Sequence, residues 1–487
     1  METNAEGTRM TQVIEREPVI LPLVKHLLME LHKSQIPYCH WKSNIDLDKS
    51  FTGMGDLDLL IDRRHSSSFN QIVLGLGFKR GVVGYERQFP GIEDYLGWDK
   101  ESDLLVHLHV HYQLVLGATY LKSIHLPWEQ AILRGRQEQG PIMVSAPESE
   151  LVLFVIRSIL KVRIYDLVRQ WKSSTRNVEE LEFLSARATA GNVAAFLTAS
   201  DISPDCFERM SAVLRRRSPW QALRSKIQLE RRLRPFQRFG RFVRFTRPLA
   251  ARLKHRWRTM FNNGSIGEKP ASGGTIIAVV GCDGSGKSTL VHELKKWLGR
   301  NYAVQTYHLG KPRQSLRSYV ILTFAVVLHK LSVRVDSAQP AFLADLASVL
   351  SQLCVARDRR REYLKIRRAV GQGRIAIVDR FPLRGVNMDS MSSIIQHAES
   401  KNVLLRWLTG RTARYYRAFT APDLLFVLQV SLDAARARRP GDDEAYLMNR
   451  LAAVRSIVPS QNVVMLDGEK ELKEVLMDAK TAVWRWL

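Results

Sequence analysis

The octapeptide Gly281-Cys282-Asp283-Gly284-Ser285-Gly286-Lys287-Ser288 follows an apolar run, Thr275 to Val280. It precedes a stretch in which Leu290, Leu294, Trp297 and Leu298 recur at helical spacing. This G-x-x-x-x-G-K-[ST] pattern constrains the fold more than any other feature, because a strand, a tight turn and a helix have to meet there. The glycines Gly281, Gly284 and Gly286 let the backbone curl so that successive N–H groups of the loop, Ser285 and Thr289 included, point at a phosphate. Lys287 adds a mobile cation, and Ser288 offers a hydroxyl to Mg²⁺. ATP and Mg²⁺ are the expected cofactors.

Further apolar runs continue the pattern: Val304 to Leu309, Ile375 to Val378, Leu424 to Val430 and Val463 to Leu466, with helical stretches between them. Such alternation predicts an α/β fold, a parallel sheet with helices on both faces. The run Ile375 to Val378 ends in Asp379-Arg380, a carboxylate placed where it would steady Mg²⁺ beside the loop.

A chain of 487 residues exceeds what one hydrophobic core usually serves, so more than one domain is expected. Residues 18 to 147 mix helix and strand signals, with Leu57 to Ile61 and Leu104 to Val110 as strands and Leu23, Leu27, Leu28 and Leu31 as a helix face. Residues 148 to 273 read as a helical and basic connector, and 274 to 487 as the loop-bearing domain. No transmembrane run is present; the longest apolar stretch, Tyr319 to Leu328, is about half of what a bilayer requires. The polar start, Met1 to Glu17, lacks the order of a secretory signal, and Cys39, Cys206, Cys282 and Cys354 make no zinc or C-x-x-C pattern. A cytoplasmic protein is expected.

The formal charge of +25 is concentrated. Between Arg215 and Arg258 sixteen Lys and Arg face a single acid, Glu230, and Phe236, Phe239, Phe242 and Phe245 alternate there with arginines. On one helix such steps of three would lay an aromatic stripe along a basic one. That suits an anionic membrane, with the protein peripheral on its inner face; nucleic acid is the less favoured partner, and a plain linker is the third reading.

In order and spacing, several motifs resemble the thymidylate kinase family over roughly Gly274 to Leu487. They are the loop with Asp283, then Ala356-Arg357-Asp358-Arg359, Asp379-Arg380-Phe381, Pro422-Asp423-Leu424 and Arg436-x-Arg438-Arg439. The resemblance implies a nucleoside-monophosphate-kinase fold with ATP over the loop. It places Asp283 against an acceptor sugar, Arg359 and Arg380 on an acceptor phosphate, and Arg436, Arg438 and Arg439 in a closing lid. Planar guanidinium forks suit the charge that develops in phosphoryl transfer. Where the family has a serine-rich, pyrimidine-reading helix, this chain has Pro382-Leu383-Arg384-Gly385-Val386-Asn387. The acceptor therefore stands open between a nucleotide or nucleotide-like molecule and a sugar or lipid-linked glycan. A non-catalytic nucleotide sensor is the remaining alternative.

The stretch His40 to Leu116 resembles uncharacterised bacterial nucleotidyltransferases of the polymerase-β type, through Trp41-Lys42-Ser43, Asp56-x-Asp58 and Val106-His107-Leu108-His109. Asp56 and Asp58 share a strand face, a geometry that holds Mg²⁺. The resemblance places Lys42 and Ser43 in the same site, with His107 where a third carboxylate is usual. Little nucleotidyl transfer is then expected, since imidazole gives Mg²⁺ neither charge nor oxygen. His107, His109 and His111 alternate on one strand face; satisfied strand histidines is the reading favoured there over a transition-metal site, because no Cys or carboxylate flanks them in sequence.

Overall fold

The computed structural model describes residues 19–84, 87–118, 121–162, 175–216, 218–261, 267–310, 312–334, 340–383 and 402–487. The polar N-terminus, the Asn262 to Ser265 joint and Arg384 to Asn387 lie outside them. The chain is a mixed α/β protein of two compact units, residues 1–80 with 85–253, and 81–84 with 254–487.

In the first unit the helix Pro22–Lys33 buries Val24, Leu27, Leu28 and Leu31, the face predicted from their spacing. Its strands are β1 (Tyr38–His40), β2 (Leu57–Ile61), β3 (Lys79–Val82), β4 (Ile92–Asp99), β5 (Leu104–His111), β6 (Leu114–Ala118), β7 (Leu121–Leu126), β8 (Gln137–Gln139) and β9 (Ile142–Val144). The main sheet runs β3-β4-β5-β2-β1-β9-β8, and β6 and β7 form a separate hairpin. β2 and β5 are parallel with Asp58 opposite His109, while β4 and β5 are antiparallel with Asp94 opposite the same histidine. Two carboxylates therefore flank His109 at one level of the sheet.

The helices of residues 147–232 belong to this unit's core. Pro147–Lys161 buries Leu151 to Ile156 without interruption, and one apolar cluster joins it to Trp41, Leu60 and Ile124 on the strand side and to Leu181, Phe207, Leu229 and Leu233 on the helical side. A helix apolar on all sides is stable in water only when enclosed in this way.

The predicted aromatic stripe is not formed. Phe236 ends a single 3₁₀ turn, Arg234–Phe236, and packs against the apolar cluster, whereas Phe242 is 80% exposed on a separate helix, Arg241–Phe261. Phe239, between the two elements, lies under the guanidinium groups of Arg238 and Arg247. Gly240 and the turn at Pro235 interrupt the helix that steps of three would have needed; the Phe245 side chain lies outside the described residues.

The second unit contains a two-residue strand, β10 (Lys269–Pro270), followed by β11 (Thr275–Gly281), β12 (Val304–His308), β13 (Ile375–Asp379), β14 (Leu424–Gln429) and β15 (Val463–Asp467). The last five form one sheet in the order β12-β13-β11-β14-β15, parallel throughout. Helices follow the strands, among them Lys287–Leu298, Leu316–Arg334, Pro340–Gly371, Val403–Arg417, Leu432–Arg438 and Glu444–Arg455. β11 is buried along its whole length, as a central strand covered on both faces must be. The carboxylate of Asp423 accepts the backbone N–H of Ile276 at 2.7 Å, fixing the start of β11 from outside the strands.

The separated environments of the phenylalanines give opposite expectations. Phe236→Ser should lower the stability of the first unit by roughly 1–3 kcal/mol, and Phe242→Ser should stay within about 0.5 kcal/mol of the parent, both read by denaturant unfolding.

Candidate functional site

β11 has β13 on one side and β14 on the other, so the connections leave the sheet in opposite senses here and open a crevice at the strand ends. The loop 281–286 fills it. Gly281 has no room for a side chain, since a Cβ there would lie 2.5 Å from Ser285 Oγ and 2.9 Å from the Leu428 carbonyl. Gly284 and Gly286 adopt φ of +82° and +94°, conformations that other residues reach only with strain. Gly286 caps the helix Lys287–Leu298, whose first N–H groups have no partner within the helix and are free to bind an anion.

Lys287 is 6% exposed, and its ammonium donates to the Cys282 carbonyl at 2.5 Å and lies 3.7 Å from Asp283. Burial pushes its pKa down, and Asp283 and Asp379 act against that shift. Ser288 and Thr289 are exposed at the start of the helix.

At the neighbouring strand end Asp379 Oδ2 lies 3.0 Å from His308 Nδ1 and accepts from it in the tautomer that carries the proton there. Its other oxygen, Oδ1, is buried with no hydrogen-bond partner among the described residues, as are Ser285 Oγ and Arg380 Nε. Arg380 has φ +58°, a left-handed conformation uncommon outside glycine, and its guanidinium donates to Asp283 Oδ1 at 2.6 Å. Gly310 makes room for it, because a Cβ there would meet Arg380 Cδ at 2.4 Å.

Asp283 is the hub of this cluster. Besides Arg380 it accepts the Tyr446 hydroxyl at 3.2 Å, and Arg450 in turn donates to that hydroxyl at 2.7 Å. Burial opposes its ionisation, but Arg380, Lys287 and Arg450 together outweigh burial and hold the carboxyl below its ordinary range.

The structure thus brings Asp283, Lys287, Asp379 and Arg380 together. Arg438 reaches the Gly284 carbonyl at 3.3 Å, and the side chains of Arg438 and Arg439 pack over Gly284. Arg436 instead pairs with Glu444 at 3.2 Å. Arg359 is buried and donates to the carbonyls of Leu309 and Gly310 and to the Tyr416 hydroxyl, so in this conformation it braces the turn after β12. His308, Tyr446 and Arg450 join the site without a sequence motif. His308 could be found only from its place as the last residue of a strand, and the other two only from their spacing of four on a helix.

A second cluster lies on the sheet of the first unit. Lys42 bonds Asp58 at 2.6 Å, and His107 Nδ1 bonds Asp56 at 2.8 Å. Ser43, at φ +59°, turns the chain from β1 into a loop whose Asn44 is pinned through its N–H and its amide by Glu150, a buried residue of the helix 147–161. Asp94, 8% exposed, lies 3.3 Å from His107 and 3.5 Å from His109. The histidines are therefore flanked by carboxylates after all; the preceding strand β4 and the more remote β2 supply them, neither adjacent to the histidines along the chain. Burial keeps His109 neutral, pushing it down to about 4, and holds His111 well below the usual imidazole range. Burial, with Lys42 and Lys161, brings Lys122 down to about 7.

No protein-family model matches the chain. It is 26% identical over 220 residues to the "uncharacterized ATP-binding protein YghR" of Escherichia coli K12, an alignment that spans 43% of this chain and 86% of that protein. The "uncharacterized ATP-binding protein YghS" of the same strain is 26% identical over 223 residues, with 43% of this chain and 92% of that protein covered.

Lys122 generates a pH test. Its ammonium is disfavoured in the folded state, so below about pH 7 the full burial penalty applies, and it is relieved as pH rises from there toward the unfolded value of 10.5. Stability of the parent should therefore rise with pH across that window, and Lys122→Met should flatten the rise in denaturant melts taken at successive pH values.

Proposed function

We propose that the second unit is a phosphotransferase that binds ATP over the loop 281–289 and passes its γ-phosphoryl group to a nucleotide or nucleotide-like acceptor, as a kinase of the thymidylate or nucleoside-monophosphate type. One observation carries this reading: the loop lysine and the strained Arg380 converge on Asp283 at the switch point of a parallel sheet, with the strand-end carboxylate of Asp379 close enough to act on the charge of the same lysine. The names of the two relatives, each called an ATP-binding protein, support the choice of donor.

The residues fit Mg²⁺. Asp379 Oδ1 is a buried oxygen with no partner among the described residues, and the Ser288 hydroxyl stands exposed at the helix start, both hard oxygen donors. Bound there, the ion would neutralise charge on the β- and γ-phosphates. The rest is done by the chain. The helix N-terminus and the loop N–H groups hold the phosphates, and Lys287 leaves the Cys282 carbonyl for their oxygens. Arg380, held by Asp283 on one side and Gly310 on the other, presents a fork to the acceptor end. Arg438 and Arg439, packed over Gly284, approach the transferring group from the helix 432–438. Phosphoryl transfer needs position and charge neutralisation more than covalent participation, which is what these groups supply.

A second reading changes the acceptor to a sugar or lipid-linked glycan at a membrane surface, and exposed apolar side chains favour it. Phe242, Leu249 and Leu253 are 80%, 53% and 62% exposed on a helix rich in arginine, and their spacing of seven and four puts them on one face. In the second unit Leu316, Tyr319, Val320 and Phe324 are likewise exposed on Leu316–Arg334. No helix among the described residues is long and apolar enough to cross a membrane, so such contact would be interfacial.

A screen of ATP consumption against nucleoside monophosphates, sugars and lipid-linked saccharides decides between the acceptors. Lys287→Ala should reduce turnover by at least about 100-fold, a few kcal/mol of transition-state stabilisation, with melting unchanged. Asp379→Asn should remove the Mg²⁺-dependent activity. Near-normal turnover in Lys287→Ala would refute the phosphotransferase reading. Flotation with anionic liposomes tests the surface: the parent should float, and Phe242→Ser/Leu249→Ser/Leu253→Ser should sink at equal charge.

A further inference from the structure

The strand face that carries His109 and His111 holds more than packing explains. The register of β2 and β5 sets Asp58 beside His109, and His111 lies two residues further along the same face. The two imidazole rings stack with centroids 4.5 Å apart and planes 9° from parallel. One ligand atom from each of Asp58, His109 and His111 falls within 4.8 Å of the other two. Around a single ion with bonds of about 2.0–2.2 Å, ligand atoms sit roughly 3.5 Å apart, so small side-chain rotations close the site.

Neither ring nitrogen of His111 has a hydrogen-bond partner among the described residues, and neither does Nε2 of His109. His111 is 1% exposed, and Trp41 closes over its ring edge-on at 4.9 Å. Leaving a buried polar group unsatisfied costs about 1–3 kcal/mol, and native proteins rarely do so without another use for the group. The other nitrogen of His109 is differently placed, with Nδ1 facing Asp94 at 3.5 Å. A carboxylate behind one nitrogen sets the tautomer and leaves Nε2 as the donor, the usual outer shell of a metal-bound histidine.

We propose that Asp58, His109 and His111 form a transition-metal site, with Zn(II) as the ion of best chemical fit and a further coordination position left for water or an anionic ligand. Two imidazoles and one carboxylate are a zinc-type donor set, whereas Mg²⁺ asks for oxygens in octahedral array. Three protein ligands are the number found where a position stays exchangeable. Lys42 forms an ion pair with Asp58 Oδ1 at 2.6 Å, so a bound ion would share this carboxylate with the ammonium. The site is independent of the phosphotransferase reading, because all of its residues belong to the first unit.

The test uses the full chain, stripped with a chelator and titrated with Zn(II) by calorimetry. A single ion should bind per chain, Zn(II) should raise the melting temperature while Mg²⁺ leaves it unchanged, and Co(II) should show the intense visible bands of low-coordinate nitrogen and oxygen ligation. His109→Ala and His111→Gln should each weaken Zn(II) binding by at least about 100-fold, since loss of an outer partner alone costs 10–100-fold, while His32→Ala, on the exposed surface, leaves it intact. Absence of tight Zn(II) binding, or binding unchanged in both variants, would overturn the site. A Co(II) spectrum identical to that of the hydrated ion would do so with the parent protein alone, whether or not the variants fold.

Discussion

A buried ammonium has to be neutralised without being silenced, and the strand ends of the second unit are arranged around that constraint. Lys287 is almost enclosed, and burial works against its charge. The Cys282 carbonyl and Asp283 hold it in the folded state, at distances short enough to support the cation and with partners that an incoming phosphate can replace. Asp283 in turn would be a buried anion without Arg380, Tyr446 and Lys287 around it. Each charge supports another, so the site is a mutually dependent network in which the ionisation of one member is set by its neighbours.

Much of this was legible in the sequence, because a buried parallel strand writes itself as a continuous apolar run. Thr275 to Val280, Ile375 to Val378, Leu424 to Val430 and Val463 to Leu466 each match an observed strand to within a residue or so at either end. The loop glycines and Lys287 were readable for a related reason: the turn tolerates few other residues there. The short strands β1, β8 and β9 and the hairpin β6–β7 were not readable, because mixed and edge strands lack either a clean alternation or a long apolar run. Pairings between distant strands were hidden for the same reason. Asp94 acquires its meaning only when β4 lies antiparallel to β5, some dozen residues later in the chain. Spacing alone misleads at Phe236 to Phe245, where a proline and a glycine break the helix on which the stripe depends.

The two units meet one problem, many like-signed charges near one sheet, with different chemistry. In the second, the loop and the helix N-terminus offer N–H groups, Lys287 and Arg380 offer cations, and the oxygens of Asp379 and Ser288 are hard donors. In the first, Asp56, Asp58 and Asp94 stand among Lys42, His107 and the imidazoles of His109 and His111, the last two held neutral by burial. A neutral imidazole adds donor capacity without adding repulsion between cations, so histidine can crowd against Lys42 where a further lysine could not.

Arg380 shows how backbone strain and charge reinforce each other. Its left-handed backbone is held by its own N–H on the Val279 carbonyl at 3.0 Å and by the guanidinium on Asp283. Released from Asp283, the side chain would lose the charge partner that offsets the unfavourable φ, and the β13 end carrying Asp379 would relax with it. Tyr446 and Arg450 therefore do more than crowd the site. By sharing Asp283 with Arg380 they tie the helix 444–455 to the end of β13 through one carboxylate. The helix 432–438 precedes this segment directly, and Arg436 is clasped to Glu444 at its start. A change in what Asp283 binds is then felt both at the strand end that carries Asp379 and in the arginine-bearing segment above the loop.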